Sequence, residues 1–355
     1  MGFSKTSMKA AVLHTARDLR FETVDVAAPG RGQCLVRIRA NGLCGSDIHF
    51  FEDGKLGPFR VTEPYIPGHE AVGTVVSIGS DVSGLVEGDR VVIEPGIPCR
   101  KCEYCHQGLY NLCPNVVFLS APPVNGTFAE YAVVDSDFLY HVPEGLSDEE
   151  AALVEPVSVG VHACNRAGIQ PGASAVVIGA GPIGLITVMV ARAYGATQVI
   201  CIDVIDKRLE KASEIGAHAT VNPRTQDTVA SVMEITGQRG ADFVFEASGS
   251  SAGASLAPRI AGPNGTVSLI GWPEVSEFEY PVELIIEKEL NIKGVNRYRN
   301  TFGPALELMN EGRIPVNELI SHRFGFSEVV DAFLFASENR ALTTKVVILN
   351  GEEDL

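Results

Sequence analysis

The sequence predicts an α/β protein in which a mostly β part precedes a doubly wound parallel sheet, and two observations predict it. The first half carries short β-type runs between turns, at 34–39, 73–78, 90–94 and 128–134. From about residue 156 apolar strand candidates alternate with helical segments, a spacing that builds a parallel sheet with right-handed crossovers. The 355 residues suffice for about two domains, each with its own core.

The central elements follow in order. A helix-like stretch covers 156–167. Strand candidates fall at 176–178, 199–203, 219–222, 243–246 and 267–270, with helices at 182–194 and 207–215. After 291–295 the pattern breaks, and the chain closes on a strand-like 345–349. Internal repeats and low-complexity stretches are absent from the sequence.

Composition narrows the function. With 45% hydrophobic and 20% charged residues the chain reads as an ordinary globular protein, and a net charge of −16 opposes binding to nucleic acid or anionic lipid. Its first residues lack the apolar core of a secretory signal, and its longest apolar runs fall short of a membrane span. The expectation is a cytoplasmic protein with neither membrane nor nucleic-acid partner. Four of its eight cysteines lie between Cys99 and Cys113, and in a reducing compartment such a cluster favours metal over disulfide.

The run Gly179-Ala180-Gly181-Pro182-Ile183-Gly184 follows a predicted strand and opens a predicted helix. Glycines there permit a tight turn, close approach to a pyrophosphate, and close packing of helix on strand. Asp203 ends the next strand about twenty residues on, where a carboxylate accepts from a ribose diol and repels a 2'-phosphate. The segment is therefore expected to be a Rossmann fold binding NAD rather than NADP. Arg208 is placed to lie along the adenosine, or else is a solvated helix residue.

Cys99, Cys102, Cys105 and Cys113 put four thiolates in one short lobe. Zn²⁺ held by four sulfurs has no open position, so this site is read as structural; a disulfide pair or an iron–sulfur cluster are the other readings. A second, dispersed set comprises Cys44 in GLCGSDIH, His69 in PGHE and Glu155 in VEP. Thiolate, imidazole and carboxylate with a fourth position left open are how catalytic zinc is arranged.

In combination, GLCGSDIH, PGHEAVG, the four-cysteine lobe, PPVNGTFAEY, ALVEP, GAGPIG and GVNRY resemble the zinc-containing medium-chain dehydrogenases, within them the sorbitol and xylitol dehydrogenase group. The resemblance spans essentially the whole chain. It implies a GroES-like catalytic domain from both chain ends (1–156 and 297–355), a Rossmann domain (157–296), a cleft between them, and a homotetramer. It makes Cys44, His69 and Glu70 the catalytic zinc ligands, with Glu155 holding the zinc-bound water or taking a turn as ligand. The broader alcohol dehydrogenases have cysteine at the position of Glu155, so glutamate there favours the polyol branch. Ser46 and His49 match the proton relay, and Arg297 and Tyr298 the pair lining polyol and nicotinamide. Ile183, Ile270, Gly271 and Asn296 match positions flanking the cofactor.

Two departures from the polyol pattern are Phe50, where members carry tyrosine, and Ala121, where they carry threonine. The expected activity is hydride transfer from a secondary hydroxyl of a polyol to NAD, with a ketose as product. The alternatives are a related dehydrogenase for butanediol, threonine or another secondary alcohol, and a cofactor-binding protein without turnover.

Overall fold

The computed structural model describes residues 5–273, 275 and 277–351. The described residues divide into two compact units. One comprises the chain up to Glu155, Phe302–Asn310 and everything from Ile320 on; the other comprises Pro156–Thr301 and Glu311–Leu319.

The first unit is mostly β. Its strands are β1 (Ser7–Thr15), β2 (Asp18–Asp25), β3 (Gln33–Leu43), β4 (Glu70–Ile78), β5 (Arg90–Ile93), β6 (Tyr131–Asp135), β7 (Leu139–His141), β14 (Ile320–Gly325) and β15 (Lys345–Leu349). β1 and β2 form an antiparallel hairpin. The main sheet runs β7-β5-β4-β3-β15-β14, with β6 also pairing β3. The last strand of the chain thus lies beside β3, Val346 opposite Leu43, and closes the sheet around the residues that follow Leu43. A core of aliphatic and aromatic side chains, including Leu13, Phe51, Tyr65, Phe128 and Phe333, fills the space under helix α1 (Gly45–Asp53).

The second unit is a six-stranded sheet in the order β10-β9-β8-β11-β12-β13. Its strands are β8 (Ser174–Ile178), β9 (Gln198–Ile202), β10 (Ala219–Val221), β11 (Ala241–Glu246), β12 (Ala261–Leu269) and β13 (Asn291–Gly294). Every pairing is parallel. All five residues of β8 are buried, as befits a parallel strand covered on both faces, and explain its unbroken apolar run. The order reverses between β8 and β11, so the crevice at the carboxyl ends of these strands is the place for a ligand. Helix α2 (Val154–Ala167) leads into this unit, and α3 (Pro182–Ala193) follows β8. The doubly wound sheet and the mostly β part expected from sequence are both present. Helix α1, which carries Ser46 and His49, was not anticipated.

Candidate zinc and cofactor sites

The first metal constellation is built where β3, β4 and β15 meet. β3 ends at Leu43, and Cys44 is the residue that caps α1. Asp47, fully buried in the first turn of α1, accepts the Cys44 amide at 3.1 Å through one carboxylate oxygen. Its other oxygen accepts from Ser120 Oγ at 2.9 Å and the Gly68 amide at 3.3 Å, and lies 3.6 Å from His69 Nδ1. That carboxylate therefore fixes the loop bearing Cys44 and stands on the Nδ1 side of the imidazole, the side from which a carboxylate backs a metal-bound histidine. Burial alone would raise the Asp47 pKa, but His69 and the hydrogen bonds from Ser120 and Cys44 hold it below the usual range.

Glu70 opens β4 opposite Gly42 in β3. A Cβ at Gly42 would collide with the Glu70 carboxylate, so the glycine is what admits the acid. Gly68 has φ +99°, and a Cβ there would meet the Phe128 ring at 2.6 Å, so the turn presenting His69 is also glycine-dependent. Glu70 is fully buried and His69 5% exposed. One Glu70 oxygen accepts from the buried Lys345 ammonium, which also donates to the Leu43 carbonyl at 3.4 Å. Burial opposes charge on Lys345, but Glu70, Cys44 and Glu155 outweigh it and raise its pKa.

Cys44, His69 and Glu70 each direct a ligand atom into one spot, all within 4.8 Å of one another. The second Glu70 oxygen is buried and has no hydrogen-bond partner among the described residues. A buried carboxylate oxygen left this way calls for a cation, and the sulfur, nitrogen and oxygen donors suit zinc. Glu155, in the first turn of α2 and 6% exposed, lies outside that converging set, although its charge reaches Lys345.

The second constellation is the lobe of Cys99, Cys102, Cys105 and Cys113, whose sulfurs also lie within 4.8 Å of one another. Sγ–Sγ separations of 4.0 Å (Cys99–Cys105) and 3.4 Å (Cys102–Cys105) bracket the roughly 3.8 Å that a tetrahedron with Zn–S near 2.3 Å requires. No cysteine is in a disulfide. This supports the structural-zinc reading over the disulfide one.

In the second unit, Gly179 has φ +96° and its missing side chain lets Ser248 approach, while a Cβ on Gly184 would fall on the Gly179 carbonyl. Gly181 caps α3 and Pro182 begins it, leaving the first amides of the helix for an anion. Ile183 lies in the same first turn. Asp203, 9% exposed at the tip of β9, accepts from Ala180 N at 2.7 Å and Ile205 N at 2.9 Å, tying the glycine turn to the second strand. Arg208 Nη1 stands 4.0 Å from that carboxylate. The Ile270 and Gly271 amides donate to the Glu246 carbonyl, where β11 and β12 end, and Asn296 follows the end of β13. All these residues sit at the carboxyl edge of the parallel strands.

The remaining expected residues are more dispersed. Ser46 and His49 are three apart on α1 and so neighbours on its surface, Ser46 half-buried and His49 exposed, 3.7 Å from Asp53. Arg297 and Tyr298 follow β13; Tyr298 is buried and Arg297 holds φ +52°. Phe50, where polyol members carry tyrosine, is 4% exposed and edge-to-face with Tyr65 at 6.3 Å, in the same cluster as Phe51. Asp47, Ser120, Gly42 and Lys345 were not singled out from sequence. Asp47 alone had a local signal, its position three residues after Cys44 at a helix start.

Comparison with known proteins agrees with this geometry. Residues 30–144 match the alcohol dehydrogenase GroES-like domain, and residues 182–311 the zinc-binding dehydrogenase family. The chain is 38% identical to a sorbitol dehydrogenase of Bacillus subtilis over 96% of its own length and 97% of that protein. Among solved structures, it superposes with TM-score 0.92 on ECK1772 of Escherichia coli, an oxidoreductase/dehydrogenase of unknown specificity (34% identity, 98% and 100% of the two chains). It superposes with TM-score 0.89 on 2R,3R-butanediol dehydrogenase of Bacillus subtilis (32% identity, 97% and 100%). With its donor sets and its dinucleotide fold matched end to end in this way, the chain belongs to the zinc-dependent alcohol and polyol dehydrogenases, NAD-linked oxidoreductases of the medium-chain type.

Proposed function

We propose that this enzyme oxidises a secondary hydroxyl of a small polyol to the ketose with NAD. The observation that carries the proposal is the convergence of Cys44, His69 and Glu70 on one spot, with Glu155 where broader alcohol dehydrogenases carry cysteine. When bound, zinc acts as a Lewis acid on an alcohol oxygen and NAD accepts the electron pair. The chain does the rest. Cys44, His69 and Glu70 hold the ion, oriented by Asp47 and Lys345. Ser46 takes the hydroxyl proton and His49, exposed one helical turn away, hands it to solvent. Asp203 receives the adenosine ribose diol, and Arg297 with Tyr298 orients the polyol. The enzyme works in the cytoplasm as a homotetramer, as the family resemblance implies; no helix among the described residues is long and apolar enough to cross a membrane.

The similarity to a butanediol dehydrogenase favours a second reading, a dehydrogenase of other secondary alcohols. NADH formation over a panel of polyols, vicinal diols and monohydric alcohols separates the two. On the polyol reading, Arg297→Ala loses about 1.5–3 kcal/mol of charge-assisted hydrogen bonding, on the order of 10- to 100-fold in kcat/KM. Cys44→Ala keeps the lobe zinc, loses the other and loses turnover. Preference for monohydric alcohols with an unaffected Arg297→Ala variant would transfer the assignment to the second reading.

A further inference from the structure

Glu246, the last residue of β11, is a buried carboxylate, 2% exposed, at the carboxyl edge of the parallel sheet. One of its oxygens accepts from the Ser248 amide at 2.9 Å and from Ser248 Oγ, the other from the Gly249 amide at 3.2 Å. Ser248 Oγ in turn accepts from the Ser250 amide at 3.1 Å and lies 2.8 Å from Ser250 Oγ. Ser250 Oγ accepts from the Gly253 amide at 3.0 Å and so caps the helix Ser251–Ile260. Burial pushes the Glu246 pKa up, and the bonds from Ser248 and Gly249 pull against it. Each of those bonds brings a hydrogen to the carboxylate, which is what its ionised form accepts.

The turn held in this way is wedged between two loops of the same edge. On one side, a Cβ on Gly179 would lie 2.8 Å from Ser248 N and 2.9 Å from Ser248 Cα, so backbone meets backbone there. On the other, a Cβ on Gly271 would fall on the Gly249 amide, and Gly249, at φ +68°, has its missing side chain against the Trp272 carbonyl. The Glu246 carbonyl itself accepts the Ile270 and Gly271 amides at 2.8 and 2.9 Å. The strand order β9-β8-β11-β12 puts this junction on the far side of the glycine turn from Asp203. A dinucleotide whose adenosine ribose reaches Asp203 and whose pyrophosphate crosses the glycine turn leaves its nicotinamide half over the ends of β11 and β12.

We infer that Glu246 is a positioning residue for the nicotinamide half of NAD, its carboxylate holding the Ser248–Gly249 turn in place between the Gly179 turn and the 270–272 loop. The inference rests on the reading of Gly179–Gly184 as the pyrophosphate site and of Asp203 as the ribose acceptor. The adenosine side has its own anchors, since the Gly179 amide donates to the Ile202 carbonyl at 2.7 Å and the Ala180 amide to Asp203. Loosening the Ser248–Gly249 turn therefore disturbs one half of the cofactor site and spares the other.

The experiment uses zinc-loaded full-length enzyme carrying Glu246→Gln or Ser248→Ala, with Asp203→Ala as reference. Glutamine keeps the shape but sets an NH2 group against the Gly249 amide, and alanine removes the hydroxyl that ties Glu246 to Ser250. Readouts are dissociation constants for NADH by fluorescence and for ADP by calorimetry, KM for NAD, zinc content and thermal melting. ADP carries the adenosine and the pyrophosphate without the nicotinamide. Glu246→Gln is expected to weaken NADH and raise the NAD KM by about tenfold, the effect of one lost charge-assisted hydrogen bond, and Ser248→Ala by about threefold. ADP affinity and zinc content should hold within about twofold, since the adenosine anchors and the metal ligands are untouched. A folded Glu246→Gln enzyme with unchanged NADH affinity overturns the inference, as does equal weakening of NADH and ADP, the mark of general loosening. Should Glu246→Gln not fold, the same comparison on Ser248→Ala decides. An Asp203→Ala enzyme that binds ADP as the parent does overturns the crevice reading itself, and the inference with it, which tells the two failures apart.

Discussion

Replacing Lys345 by methionine tests the electrostatic account of the metal site. The Lys345 and Glu70 side chains are 4% and 0% exposed, so they form a buried pair whose desolvation is nearly complete. Methionine keeps the unbranched shape and removes the ammonium that donates to Glu70. In the metal-free protein this leaves the buried Glu70 carboxylate without its ammonium, and breaking one side of such a pair costs about 3–5 kcal/mol. With zinc bound, two positive charges stand at the same acid, and most of that cost disappears. The expected outcome is therefore a variant destabilised on the order of 10 °C in melting temperature after chelation, but only slightly when zinc-loaded. Calorimetry of parent and variant with and without chelator measures the difference directly. Equal destabilisation in both states would mean that Lys345 does not balance the ligand charge and that its contact with Glu70 is incidental.

Two further outcomes follow from charges at fixed places. With Asp203 as the proposed ribose acceptor, NADP would bring a phosphate against its carboxylate, and two like charges in contact cost several kcal/mol in a partly buried site, so NAD should be preferred about a hundredfold or more. Asp203→Ala should narrow the ratio of kcat/KM values, and comparable use of NADP by the parent would refute the assignment. His162 is held neutral in the fold down to about pH 4, whereas an unfolded histidine takes its proton below about 6.5. The unfolded chain therefore binds more protons in that interval, and the stability due to this group, complete above pH 6.5, declines as pH falls toward 4 by about 3 kcal/mol. Denaturant titrations across that window should show a shallower acid slope for His162→Gln than for the parent; identical slopes would place the ring in a different environment.

How much of this was legible in sequence depends on whether each feature is local along the chain. The glycine turn at Gly179 to Gly184 and Asp203 were readable because a strand, a turn and a helix in fixed order leave the pyrophosphate one place to go, and the fold delivers them as expected. The cysteine lobe was readable because fifteen residues, Cys99 to Cys113, contain all four sulfurs. Cys44, His69 and Glu70 became readable only as a matched combination, since each alone is an ordinary buried residue.

Gly42 and Lys345 were not readable at all, for a physical reason. What makes them matter is strand register: Gly42 faces Glu70 across the β3–β4 pair, and β15 lies on the other side of β3 with Val346 opposite Leu43, bringing in Lys345 from about three hundred residues away. A glycine in a strand and a lysine before a valine-rich run carry no local sign of a carboxylate between them. Phe50 carried no local sign of its surroundings either: α1 sets its ring edge-to-face with Tyr65 in the core. A hydroxyl added by Phe50→Tyr would thus be buried with the ring among core side chains. The converging donors Cys44, His69 and Glu70 can be read from motifs, then, but Gly42 and Lys345, which set their room and charge, come from sheet topology.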